Sequence, residues 1–405
     1  MKNSVLILIM LYCCTGVIYA QAGKGDTTKN SSAVNFNKQK DAIDIIYWFL
    51  GKDASKRIGD TTHPSVGKIF FSGAPAVAYS LQTGVTGVLE GNFAIYLGPD
   101  STTKISSLLA SIEYTQYHQL IIPARPNIWT KNNQYNFVGE WRFLKYPQDT
   151  YGIGSQTKES DAYTVDYNYV RFYQFALKKI KNEFYAGLGV QYDNHWNIKE
   201  EYPPQNSDFE KYGFSKTSIS SGVAVNLLYN TRKNLLNPEG GSTYLNVILR
   251  QNFTWLGSNT NWSSALFDLR KYFKVGHKNN VLAFWTYDWL TLSGNPPYLD
   301  LPSNGWDTYS NTERGYVQSR FRGKNMLDAE GEFRFNITRN QLFGGVVFAN
   351  AASFANLDNK FDGVLPATGA GLRIKFNKFS NTNVAIDYAI GKNSKGIFLN
   401  LGEVF

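Results

Sequence analysis

The feature that most restricts this chain is a two-residue alternation sustained far longer than a soluble strand needs. Between Met326 and Ile337, Leu327, Ala329, Gly331, Phe333, Phe335 and Ile337 share one face. Asp328, Glu330, Glu332, Arg334 and Asn336 share the other. Side chains on a strand alternate between its two faces, so this segment has one face for an apolar medium and one for a polar one. Soluble strands average about 5–6 residues, whereas a tilted strand crossing a bilayer needs about 9–11. Similar runs of roughly that length recur. In Tyr135–Phe143 the aromatics alternate with Asn136, Glu140 and Arg142. In 184–192 the apolar set is Phe184, Ala186, Leu188, Val190 and Tyr192, and in 281–289 it is Val281, Ala283, Trp285, Tyr287 and Trp289. Near the end, Val384, Ile386, Tyr388 and Ile390 alternate with Asn383, Ala385, Asp387 and Ala389. Apart from the first 22 residues, no apolar run is long enough to cross as a helix. A closed barrel is the other structure that satisfies its backbone in lipid.

Composition agrees. Aromatics make up 15% and charged residues only 18%, with 35 Gly. Disordered chains lack aromatics, and helical bundles are built on Ala, Leu, Glu and Lys. The expected class is therefore all-β: a transmembrane antiparallel β-barrel. Turns read between the alternating runs give sixteen strands from Phe70 to Phe405, or 21 residues per strand with its connection. The segments near 119–130, with Pro123 and Pro126, and 242–253 alternate least cleanly. Short connections at 338–340 and 179–182 read as periplasmic turns. The longer ones at 146–161, 194–214 and 291–325 read as external loops.

Residues 1–22 read as a signal peptide: Lys2, an apolar run from Val5 to Tyr19, and a small-x-small site at Ala20-Gln21-Ala22. Cys13 and Cys14, the two cysteines, lie inside it. The exported chain is then free of disulfides, cysteine–zinc sites and thiol nucleophiles. Residues 23–69 read as a short periplasmic segment whose first part, 23–37, is polar. Within 41–51, Ile43, Ile46, Tyr47 and Leu50 fall at helical spacing, with Trp48 and Phe49 alongside. That pattern predicts an amphipathic helix, either on the inner leaflet or in the barrel mouth.

No constellation for catalysis, a cofactor or a metal stands out. The histidines (His63, His118, His195, His277) have no metal-ligand spacing, and no G-x-S-x-G elbow occurs. His118 and His195 are the positions a barrel phospholipase would draw on; the ordinary reading is loop or interface histidines. The formal charge of +9 is spread through strands and loops, which gives no nucleic-acid footprint. It suits anionic outer-membrane lipids, lipopolysaccharide included.

Several ordered motifs resemble those of the BamA/TamA-type outer-membrane insertase superfamily, the bacterial surface antigen barrels. The closing segment 396–405, with Asn400-Leu401-Gly402 and terminal Phe405, is similar to that family's last strand. Glu313-Arg314-Gly315-Tyr316 resembles its Arg-Gly-aromatic loop motif, followed by 320–326 and then Glu332-Phe333-Arg334-Phe335. Asn230-Thr231-Arg232 with Asn237-Pro238-Glu239-Gly240 resembles the turn before a mid-barrel strand. Residues 75–87 resemble the first hairpin, and Tyr151-Gly152-Ile153-Gly154 an external loop. The family's pattern is broken in places. Residues 23–69 are too few for a periplasmic POTRA module, Asn350 stands where an Asp is common in strand thirteen, and Lys233 follows Arg232 where an Asp is common.

The resemblance implies a multi-pass outer-membrane barrel that is not an enzyme and takes part in outer-membrane protein assembly, insertion or translocation. Its partners would be client barrels or assembly subunits; the alternative is a passive channel or structural barrel. It further implies that Arg314, Gly315 and Tyr316 fold back into the lumen. There Glu332, or next Glu330, would receive the guanidinium. Gly402 and Phe405 would form a C-terminal assembly signal, with Phe405 in the periplasmic aromatic girdle. The seam between the first strand (Gly73, Pro75) and the last (Gly396, Gly402) would be weak.

Overall fold

The computed structural model describes residues 39–54, 57, 66–276 and 280–405. The signal-peptide and polar-leader assignments, along with His63 and His277, lie outside the described residues. Sixteen antiparallel strands follow a short helix, α1 (Ala42–Phe49). They are β1 (Phe70–Ser80), β2 (Gly84–Ile95), β3 (Ser106–Thr115), β4 (Leu120–Trp129), β5 (Tyr135–Lys145), β6 (Tyr163–Lys181), β7 (Phe184–Glu201) and β8 (Thr217–Asn230). The second half comprises β9 (Thr243–Asn252), β10 (Trp262–Val275), β11 (Asn280–Gly294), β12 (Asn325–Asn336), β13 (Phe343–Phe354), β14 (Leu365–Asn377), β15 (Thr382–Gly391) and β16 (Ser394–Leu401). Each strand is laddered to the next in sequence, with Gln148–Thr150 as a small outrigger on β6. Among the described residues no ladder pair joins β1 to β16. The barrel is closed everywhere except at this seam.

Polarity is inside-out relative to a soluble protein. On β12, Asp328, Glu330, Glu332 and Arg334 are buried while Leu327 is exposed on the outer wall. Leu89, Leu188, Val347 and Ile386 are exposed outward in the same way. A β-sandwich would reverse both faces. Two expectations change. β11 turns Val281, Ala283, Trp285 and Tyr287 inward, where they are buried, and presents Phe284 outward. Both faces of this strand are apolar, so alternation alone does not say which faces lipid. The long loop expected at 194–214 starts later: the strands β6 and β7 run for 19 and 18 residues, β7 reaches Glu201, and 202–216, with a short helix at Asp208–Gly213, is the connection.

β4 does form, and its prolines show how. The β3–β4 register skips between Ala124 and Ile121, beside Pro123. The β4–β5 register skips between Ala124 and Asn127, beside Pro126. Successive backbone N–H groups point to opposite neighbours, so the two missing donors weaken different ladders and neither ladder is lost.

Both ends of the described chain lie with the turns 182–183 and 378–381. The opposite end carries 146–162, 202–216 and 295–324, but only tight hairpins, 81–83 and 392–393, beside the seam. The wall is tallest at β6–β7 and lowest at β16.

Candidate functional site

The loop 295–324 is long, and ordering it has an entropic cost unless it carries its own scaffold. It does. Asn304 accepts from the Phe321 amide at 2.9 Å and donates to the Val317 carbonyl at 2.8 Å. Asp307 gathers the amides of Asn311 and Thr312 at 2.8 and 2.9 Å. The Trp306 indole donates to Ser319 Oγ at 2.6 Å. These bonds fold the loop into a plug whose tip, Arg314, is 1% exposed inside the barrel.

Arg314 sits in a ring of alternating charges. Its Nη2 reaches both Glu332 (2.6 Å) and Glu330, and its Nη1 reaches Asp387 Oδ2 at 2.6 Å. Asp387 is bound by Arg373 at 2.5 Å, Arg373 by Glu403 at 2.6 Å, and Glu403 faces Arg334 at 3.7 Å. Arg334 returns to Glu332 and closes the ring. The Arg314 guanidinium also lies 3.6 Å from the centre of the Phe348 ring. Burial alone would lower the basicity of this loop arginine, but the surrounding carboxylates outweigh it and hold the proton more firmly than usual. Gly315 has φ 117°, and a Cβ there would come within 2.8 Å of Ala367; only glycine fits without strain. Tyr316 is buried, donating to the Pro366 carbonyl at 2.8 Å and accepting from the Lys392 amide at 2.9 Å.

The structure thus brings Arg314, Gly315, Tyr316, Glu330 and Glu332 together. Asn350 donates to the Arg314 carbonyl at 2.9 Å, so it holds the loop backbone and offers the guanidinium nothing. Asp387, Arg373 and Glu403 complete the site and were not singled out in the sequence. Their signal was present: Asp387 is the charged member of the inward set in the 383–390 alternation. What the sequence could not give was that β15 stands opposite the loop tip.

Gly402 and Phe405 are placed differently from expectation. At Gly402 (φ 100°) the chain leaves β16 and turns into the lumen. Phe405 is 2% exposed, 5.1 Å from Trp285 and 6.3 Å from Tyr272 between ring centres, so it is not in an outer girdle. Its carbonyl accepts from Arg334 at 2.8 Å, and Asn311 of the loop donates to the Val404 carbonyl at 2.8 Å. Trp285 of β11 and Tyr272 of β10 receive this tail.

The opposite wall carries Arg142, Arg171 and Arg250 with Glu140 and Asp193. Arg250 binds Asp193 at 2.6 Å, and Arg171 binds Glu140 at 2.9 Å. Arg125 and Arg142 each donate to the Thr308 carbonyl at 3.0 Å, and Thr308 Oγ1 donates to Glu140 at 2.8 Å. Asp300, on the loop, accepts from Ser220 at 2.5 Å; burial first, and Asp193 second, push its carboxyl up to about 7. His195 faces both Ser218 Oγ (3.4 Å) and Asp300 (3.7 Å) with the same Nδ1. A proton relay uses the two ring nitrogens for different partners, so this is not a catalytic triad. His118 is in the β3–β4 turn, beside the Tyr114 hydroxyl at 3.2 Å.

No family profile matches the chain, and no curated protein matches it in sequence. Solved structures do. A fragment of BamA from Haemophilus ducreyi lacking POTRA domains 1–3 superposes with TM-score 0.54 at 16% identity, over 84% of this chain and 69% of that one. CdiB from Acinetobacter baumannii (TM-score 0.52, 13% identity) and CdiB from Escherichia coli (0.56, 11%) also match over 84% of this chain. The chain shares its barrel fold with these BamA and CdiB structures. The chain spans 61% and 63% of the two CdiB chains, and at these identities the likeness is one of fold.

Proposed function

We propose that this BamA-type barrel is a non-enzymatic outer-membrane factor that assists assembly, insertion or translocation of other outer-membrane proteins. The observation that carries the reading is the seam. β1 and β16 stand side by side without a ladder, and β16 has eight residues, fewer than the roughly 9–11 that span a bilayer. Unpaired strand edges recruit other strands, and a short wall thins the adjacent bilayer at modest cost. A client strand can pair there and enter a locally thin membrane. The rival reading, a passive channel, is disfavoured by a lumen occupied by Trp306, Arg314, Tyr316 and Phe405.

The test is to lock the seam. A Cβ on Gly396 would come within 2.8 Å of Leu81 Cγ, which suits a disulfide. Leu81→Cys/Gly396→Cys should leave the barrel folded, abolish client assembly when oxidised and restore it on reduction. Full activity of the oxidised protein would refute the reading.

A further inference from the structure

The helix α1 does not enter the barrel. Ile43 is buried against Phe376, with Tyr47 and Val384 packed alongside. Val384 belongs to the outward set of β15, and Phe376 keeps outward parity at a bulge in β14. The helix therefore grips the outside of the wall at its rim. Lys40 adds a bond to the Asn340 carbonyl at 3.0 Å.

A neutral charge clamp fixes it there. Asp41 and Asp44 each bind Arg57 at 2.5 Å. Asp44 also binds Lys378 Nζ at 2.9 Å, and Asp41 accepts from the Lys378 amide at 2.9 Å. The same aspartates form the capping box that starts the helix. Eight residues are too few for a stable isolated helix in water, so the clamp is what holds this one.

The opposite face is the unusual one. Ile45, Trp48 and Phe49 lie roughly half a turn round from Ile43. Trp48 is 71% and Phe49 75% exposed, with Leu50 beside them at 52%. A helix lying on a wet rim would show polar residues there. This apolar face continues the lipid-facing strip of β15, where Ile386 and Tyr388 are exposed on the same side as Val384. Exposed Lys40 and Lys52 bracket it, suiting anionic head groups.

We propose that α1 is an interfacial anchor that seats Trp48, Phe49 and Leu50 among the phospholipids of the periplasmic leaflet, on the outer wall one strand from the seam. This rests on the chain being a transmembrane barrel. Trp and Phe at this depth match the aromatic belt of membrane proteins, and the clamp keeps the helix at that level.

The experiment uses the full chain with Cys13→Ser and Cys14→Ser, carrying Phe49→Cys or Ile386→Cys labelled with an environment-sensitive fluorophore. The protein is folded into vesicles of phosphatidylethanolamine and phosphatidylglycerol, with or without chain-brominated lipid. Both labels should lose most of their emission to brominated lipid and resist aqueous iodide. Quenching at 386 by lipid but at 49 by iodide overturns the anchor while leaving the barrel intact. A label at 49 shielded from both quenchers means that a second copy covers the helix, which also overturns it. Absence of lipid quenching at both positions overturns the transmembrane reading itself and the anchor with it.

Discussion

The two sides of the lumen grip the same loop by opposite chemistry. Without the loop, the wall and tail near β12–β15 present Glu330, Glu332, Asp387 and Glu403 against Arg334 and Arg373, an excess of two negative charges. The wall near β4–β9 presents Arg125, Arg142, Arg171 and Arg250 against Glu140 and Asp193, an excess of two positive charges. The loop answers the first with a guanidinium and the second with the carbonyls of Asp307 and Thr308. The first wall is incomplete until the loop arrives. The second is largely self-paired and only rests against it. Because Glu403 belongs to the first ring, the tail that follows β16 is tied to the loop through it, whereas the second wall has no such link to the seam.

The largest effect should come from breaking the acidic side. Arg314→Ala leaves buried Glu330 with no cationic partner, and takes one of two from Glu332 and Asp387, which keep Arg334 and Arg373; it should cost about 3–5 kcal/mol, less where water enters. Arg314→Lys should recover part of it, since an ammonium lacks the bidentate fork. Urea midpoints of the folded barrel, together with protease cutting of 295–324, report both. Equal protease resistance in Arg314→Ala and the parent would break the comparison.

Phe405→Ala should follow, at about 3 kcal/mol, because it removes a buried ring from beside Trp285 and Tyr272. It should also loosen the loop through Asn311. A loop as protected as in the parent would show that tail and plug are independent.

Arg142→Ala should cost less, about 1–2 kcal/mol, since it releases carbonyls that Arg125 still holds in part. If it matched Arg314→Ala in urea, the two walls would be equivalent after all.

A further effect is a slope in pH. Asp300, which faces Asp193, His195, Arg171 and Arg250, holds its proton to about 7 when docked and releases it near the ordinary carboxylate value when free. The undocked loop therefore loses its proton first, and docking weakens as pH rises from about 4 to about 7. Glu313, buried beside Asp328 and raised well above the usual range, works in the same direction. Protease cutting of the loop should increase from pH 5 to pH 8, and Asp300→Asn should flatten that increase. A parent loop that is equally protected at both values would remove Asp300 from the comparison.

The sequence determined the barrel, because an apolar outer wall and a polar lumen impose opposite demands on alternate residues, and that pattern is local. It placed β12 for the same reason, whereas the inward fold of the motif at Arg314 was implied by the family resemblance and not by alternation. It misread β11, where both faces are apolar, and the inward Trp285 packs against Phe405, more than a hundred residues away. It missed Asp387, Arg373 and Glu403, since lumen charges look alike until closure decides which strands stand across from the loop tip. It also left open which side of the wall α1 would take. Tertiary structure decided that through Lys378, a turn residue whose pairing with Asp44 no spacing in the chain announces. Periodicity is written residue by residue, whereas partnership across a closed barrel exists only after the wall has formed.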